Sequence, residues 1–205
     1  MKHKKLVFGL EAGVLILLLI VAAVIATTPD LFSSEPPESG AAAENIIGDV
    51  SVRRSGNNYT LKNGVILYAG DEVIVGRNAQ CEVVVQGRAR VTLNQDSRLL
   101  IREQSPAVSS LTVREGVAFF DLVSNEPEGS LWACTEFGRL SPESGSVFSL
   151  EAYTGTQTVN LYRGAAELQY ADARSAVAEG EHVTIVRLEG SKVYVSPVGA
   201  AVCAK

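Results

Sequence analysis

The chain has 205 residues, 18 of them basic and 23 acidic, for a formal charge of −5, with 18 Gly, 3 Cys and only 2 His. That length fits one domain of ordinary size together with an anchor and a linker. The acidic balance excludes a grip on nucleic-acid backbone, two histidines exclude a multi-histidine metal site, and three cysteines allow one intramolecular disulfide at most.

Lys2, Lys4 and Lys5 precede an apolar run from Leu6 to Ala26 whose one charge is Glu11. As a helix this run spans about 30 Å, the thickness of a bilayer's hydrocarbon core. Basic residues before the run and none just after it predict a cytoplasmic tail (1–5), a transmembrane helix (6–26) and an exported remainder, placing the protein at the cell membrane. A cleaved signal peptide is the rival reading, since the run ends on the small residue Ala26. The unbroken stretch from Ala12 to Ala26 is at the top of the signal-peptide range, which favours a retained anchor. Glu11 is either hydrated near the cytoplasmic interface or a contact for a partner helix within the membrane. Beyond Ala26 the chain carries 15 basic and 22 acidic residues, a charge of −7.

Residues 27–45 (TTPDLFSSEPPESGAAAEN) contain Pro29, Pro36 and Pro37 among Ser, Glu and Ala, and read as an acidic linker. The body, 46–200, shows period-2 alternation and no helical period. Cys81, Val83 and Val85 share one face, as do Ala89, Val91 and Leu93, with Arg88, Arg90 and Thr92 opposite. The same alternation returns at Val159 and Leu161, at Leu168 and Tyr170, and at Val183 and Ile185. Turns are expected at Gly48, Gly64, Gly70, Gly87, Gly116, Gly145, Gly164, Gly180 and Gly190. Four of these (Gly87, Gly116, Gly164 and Gly190) sit between strand-like runs as tight hairpins would. About twelve to fifteen short strands are expected, too many for one uncovered sheet. The expected fold is all-β: an antiparallel sandwich of jelly-roll type or a β-helix.

Catalytic patterns are sparse. Asp71-Glu72 beside Gly70 lacks the oxygen-ligand series of a calcium loop and reads as turn acids. Ser144-Gly145-Ser146 is no nucleophile elbow, and His182 is the lone histidine of the body. Cys134, in Leu131-Trp132-Ala133-Cys134-Thr135, reads as a buried strand residue rather than a nucleophile paired with His182. Glu126 and Glu128 lie in a polar loop. Arg53-Arg54 and the pair Arg88 and Arg90 read as solvent-facing strand charges, with contact to an anionic cell-wall polymer as the lesser alternative. Export permits a disulfide; Cys81 with Cys134 is the expected pair because Cys203 sits near the chain end, and no pairing at all is the alternative. No cofactor and no metal is expected.

The order of the turn pieces carries a resemblance. Gly48-Asp49-Val50 opens it, followed by Leu61 to Gly64, then Gly70-Asp71-Glu72-Val73-Ile74, then Val75-Gly76-Arg77-Asn78-Ala79. Next come the hairpin at Gly87, the run Leu111-Thr112-Val113-Arg114-Glu115-Gly116 into Val117-Ala118-Phe119-Phe120, and Ser144-Gly145-Ser146-Val147-Phe148-Ser149-Leu150. Thr158 to Gly164 and Gly180-Glu181 close it. In this order they resemble the FecR-type domain, a bacterial extracytoplasmic module, over Gly48 to Val186. Departures mark a divergent member: Val75 stands for the family's Thr, Gln86 for its Asp, and Arg and Thr are missing around Gly145. The resemblance implies a non-catalytic module of the cell envelope. About five residues before the span are too few for the family's cytoplasmic sigma-binding domain. The expected role is therefore a membrane-anchored binding or scaffold module for an unidentified envelope protein or cell-wall component. A transmembrane signal-sensing regulator acting through a partner is the alternative, and an envelope enzyme comes last.

Overall fold

The computed structural model describes residues 40–85, 87–105, 108–123, 130–170, 173–188 and 192–198, with side chains described up to residue 186. The expected anchor, Glu11, most of the linker, Glu126, Glu128, Gly190 and Cys203 lie outside the described residues.

Among the described residues seventeen strands follow one another. They are β1 (Ala41–Ile47), β2 (Val50–Arg54), β3 (Asn57–Thr60), β4 (Ile66–Leu67), β5 (Glu72–Val75), β6 (Gln80–Val85), β7 (Ala89–Leu93), β8 (Arg98–Gln104) and β9 (Val108–Leu122). Then come β10 (Ser130–Cys134), β11 (Gly138–Pro142), β12 (Val147–Tyr153), β13 (Thr156–Arg163), β14 (Ala165–Tyr170), β15 (Ala173–Ala178), β16 (His182–Leu188) and β17 (Lys192–Val198). They form two sheets. Sheet A runs β4-β1-β6-β7-β9-β12-β13-β16-β17. Sheet B runs β3-β2-β5-β8-β9-β10-β11-β14-β15. Every pair is antiparallel except β9 with β10. That pairing leaves no parallel coil, so the β-helix alternative falls and the sandwich stands.

The two inner faces meet in one core. Val83, Val91, Phe120, Phe148 and Leu161 are sealed from sheet A, and Val73, Leu99, Ile101, Leu111 and Leu140 from sheet B. Phe120 and Phe148 face each other across β9 and β12, and their rings stack at 4.7 Å. Burying side chains of this kind stabilises by about 1.5–3 kcal/mol each. The body starts earlier than expected: β1 occupies Ala41–Ile47, inside the stretch read as linker. Alanines are poor strand formers, which hid it. Here Ala41 and Ala43 are 1% and 0% exposed, within the core.

The largest departure concerns two expected hairpins. At Gly87 the chain does reverse, with Val85 opposite Ala89. At Gly116 it does not. There β9 continues without reversing, its first half pairing with β8 and β10 in sheet B and its second half with β7 and β12 in sheet A. Its inward residues change parity at that point, from Leu111 and Val113 to Ala118, Phe120 and Leu122. Gly164 is the same kind of crossing, from β13 in sheet A to β14 in sheet B. So is Gly48, from β1 to β2.

A strand that leaves one sheet for the facing one must bend sharply and turn its inward side over. Gly116 does this at φ +81°, and a Cβ there would lie 2.4 Å from Ser97 Oγ. Ser97 is fully buried and locks the bend, accepting from Val117 N at 2.9 Å and donating to Val117 O at 3.0 Å. Gly164, at φ +89°, crosses over the buried Ser146 in the same way, with Ser146 Oγ donating to Ala165 O at 3.0 Å. Gly48 passes over Ala79.

Gly116→Ala is expected to cost about 2–4 kcal/mol, combining a left-handed backbone penalty with the clash on Ser97. Gly155 has φ +74° but nothing within 4 Å of its missing Cβ, so Gly155→Ala should cost only about 1 kcal/mol. Urea midpoints of the two variants check this; equal losses would remove the crossing as the cause.

Candidate binding surface

Residues in register on neighbouring strands share a face, and on sheet B this builds one continuous outward row. It begins at the β3 edge with Asn58, Arg53 and Glu72, passes Leu100 and Thr112, and continues through Cys134, Arg139, Gln169 and Arg174 to the β15 edge. Its two halves have different chemistry.

The β2–β5 half is a network of ion pairs. Asp71 and Glu72 are 2% and 4% exposed, not the solvated turn acids expected. Arg54 grips Asp71 with two bonds, Nε to Oδ1 at 2.8 Å and Nη2 to Oδ2 at 2.6 Å, while Tyr68 N donates to the same carboxylate at 2.8 Å. Arg54 also donates to Ile66 O at 2.9 Å and lies over the Tyr68 ring at 4.7 Å. The hydrogen bond to Asp71 raises the Arg54 pKa above its ordinary value, against the opposing effect of burial. Glu72 holds Arg53 at 2.9 Å on one oxygen and Arg114 at 3.3 Å on the other. Arg53 and Arg54, expected as free strand charges, are therefore the counter-ions of two buried acids. A buried carboxylate requires such partners. The signal was the Gly70-Asp71-Glu72 run two strands from an Arg pair, but which strands pair is not a local property.

The β9–β14 half is a groove of about 500 Å³ lined by Arg102, Ser110, Trp132, Cys134, Arg139 and Gln169, with Thr135, Glu136 and Phe137 at one end. Arg139 lies over the Trp132 ring at 4.1 Å and donates to Gln169. Arg102 Nε donates to Thr112 Oγ1 at 2.9 Å. Cys134 Sγ sits 3.6 Å from Ser110 Oγ.

The remaining expected residues fall elsewhere. Arg88 reaches Ser109 Oγ at 2.6 Å beside a cleft of about 240 Å³ between the sheet ends. Arg90 pairs with Glu82 at 3.4 Å on the outer face of sheet A. That face also carries Phe119 and Tyr162, with ring centroids 5.7 Å apart. Ser146 is the peg beneath Gly164. Gly64, Gly70, Gly87, Gly145 and Gly180 all take positive φ, from +68° to +93°. His182 stands in register with Asn160 on sheet A, whereas Cys134 is on sheet B, so the two do not form a nucleophile–base pair. Among the described residues no three His, Cys, Asp or Glu side chains gather as metal ligands would.

The expected Cys81–Cys134 disulfide is absent, and both thiols are free. Cys81 points into the core from β6 of sheet A, while Cys134 lies on the outward side of sheet B. A disulfide needs Cα atoms about 4.4–6.8 Å apart, and facing sheets stand about 10 Å apart. Burial, with a smaller contribution from Glu82, pushes the Cys81 thiol up to about 12.

Two crystal structures, at 1.65 and 2.50 Å resolution, of a protein from Parabacteroides distasonis ATCC 8503 provisionally assigned as an anti-sigma factor share this fold. Each matches with a TM-score of 0.53 at 17% identity, covering 63% of this chain and 60% of that one. This chain thus spans less than two thirds of that protein's length. No family model and no curated protein matches the chain.

Asp71→Asn should cost about 1–3 kcal/mol, the loss of a charge-assisted bidentate pair discounted because Arg54 is 38% exposed and can rehydrate. Arg53→Ala should cost less than about 1 kcal/mol, since Glu72 keeps Arg114. Chemical denaturation of both variants tests that order. Alkaline titration tests Cys81. The folded thiol keeps its proton while the unfolded one loses it near its ordinary value of 9.0. Its contribution to stability is thus intact below about pH 9 and lost as pH rises towards about 12. The wild type should lose stability across that window relative to Cys81→Ala; parallel curves would show that burial does not hold the proton.

Proposed function

We propose that this chain is a membrane-held regulator of the FecR type. Its β body, outside the cytoplasmic membrane, reads a ligand or partner without catalysing a reaction and acts through a second protein. The observation that carries this reading is the two-sheet fold held in common with the crystallised protein provisionally assigned as an anti-sigma factor. The ordered turn pieces from Gly48 to Gly180 support it independently, because they resemble the FecR-type domain in sequence. The apolar run 6–26 with its preceding lysines supports a single-pass anchor with the N-terminus inside.

In this reading the sheet B face is the input surface. It has both a rigid half, where Glu72 holds Arg53 and Arg114, and an open half around Trp132 and Arg139. Glu11 is the output contact, since a carboxyl within a membrane span is costly unless a partner or water meets it. A passive scaffold would need the surface but not Glu11.

The test is proximity labelling in native membranes, with the label fused after Lys205, on the wild type and on Glu11→Leu. Enrichment of one membrane neighbour that drops with Glu11→Leu is the expected result. A neighbour enriched equally by both proteins would turn the reading towards the scaffold role, and diffuse labelling by both would end the regulatory one.

A further inference from the structure

We infer that the groove on the outer face of sheet B is a binding site for a small organic acid, with one carboxylate held between Arg102 and Arg139. This rests on the reading of that face as the input surface and names what it reads.

The first argument is geometric. The Arg102 head is held by Thr112 of β9, and the Arg139 head lies against the Trp132 ring while donating to Gln169 of β14. Thr112 is in register with Cys134, and Trp132 is the next outward residue along β10. Both heads line the same groove. A carboxylate placed there offers one oxygen to each guanidinium. Neither arginine has a carboxylate partner among the described residues, whereas Arg53, Arg54, Arg90, Arg98, Arg114, Arg163 and Arg174 all do. Both heads are instead fixed by neutral groups, Thr112, Trp132 and Gln169. Held this way they are preorganised and keep their charge unspent.

The second argument is electrostatic. The two arginines of the groove are met in its lining by one acid, Glu136, and Glu103 stands in register with its Ser110, so the site has no excess positive charge for a phosphate dianion. The exported chain as a whole is at −7, so a polyanion would be repelled wherever it extended past the groove. A compact monoanion is not. Trp132 and Phe137 offer apolar surface for its carbon frame.

Trp132 is the one tryptophan of the chain, so its fluorescence reports on the groove directly. The experiment titrates the full chain in non-ionic detergent with butyrate, with inorganic phosphate and with chloride, at constant ionic strength. The expected result is a saturable change with butyrate alone. Arg102→Gln and Arg139→Gln should each weaken it at least about tenfold, with the far-ultraviolet circular dichroism unchanged. Arg90→Gln makes the same charge change on the opposite face and should leave it intact. Three outcomes would overturn the site: no saturable change, an equal response to chloride, or equal loss in Arg90→Gln. Saturation by phosphate but not butyrate would overturn the carboxylate assignment. Partner labelling in membranes is a separate readout, so the groove can fail while the regulatory reading stands, and the reverse.

Discussion

The structure depends on strands that belong to two sheets at once. A strand can bury only alternate residues, so passing from one sheet to the facing one forces it to exchange its inward and outward sides. β9 does this at Gly116, where the backbone takes a left-handed conformation and rests on Ser97 with no room for a side chain. The serine hydroxyl satisfies both polar groups of Val117 at the bend, so the crossing leaves no buried backbone group unpaired there. Gly164 over Ser146 and Gly48 over Ala79 repeat the solution. Because the sheets share β9, the register of one constrains that of the other, and the core between them closes as one cluster.

That shared register also organises the outside. The row across sheet B exists because eight successive pairings keep step. Within it, charge is sorted by burial. Glu72 is sunk far enough to need arginines, and Arg53 and Arg114, which meet it, are tied down. Further along, Arg102 and Arg139 are steadied by neutral groups and an aromatic ring. The two halves share residue types and differ in consequence: one is a structural lock, and the other a groove whose two arginines are held by neutral groups. Sheet A presents a different surface, with Phe119, Tyr162 and Asn160 around Ser149.

Much of this was legible in the residues. Period-2 alternation places Cys81, Val83, Val85, Ala89, Val91 and Leu93 inward, and all six are buried. The glycine positions mark where strands end or bend. Other features were not legible. Ala41 and Ala43 look like linker because small residues carry no strand signature until a neighbour needs the space they leave. Cys81 and Cys134 look alike in sequence, both in apolar runs, yet one faces the core and the other the outside of the opposite sheet.

What the sequence alone determined is the local record: an apolar run long enough to span a bilayer, an acidic proline-rich stretch, and an all-β body punctuated by glycine. These follow from periodicity and backbone sterics, which act over a few residues. Only the tertiary structure decided whether a glycine reverses a strand, as at Gly87, or carries it into the other sheet, as at Gly116. Both need the same backbone freedom and both sit between alternating runs; what separates them is whether the strand's partner is its neighbour in the chain or one far away. The burial of Asp71 and Glu72 and the meeting of Arg102, Trp132 and Arg139 in one groove were decided the same way, by pairings between distant strands that no local pattern encodes.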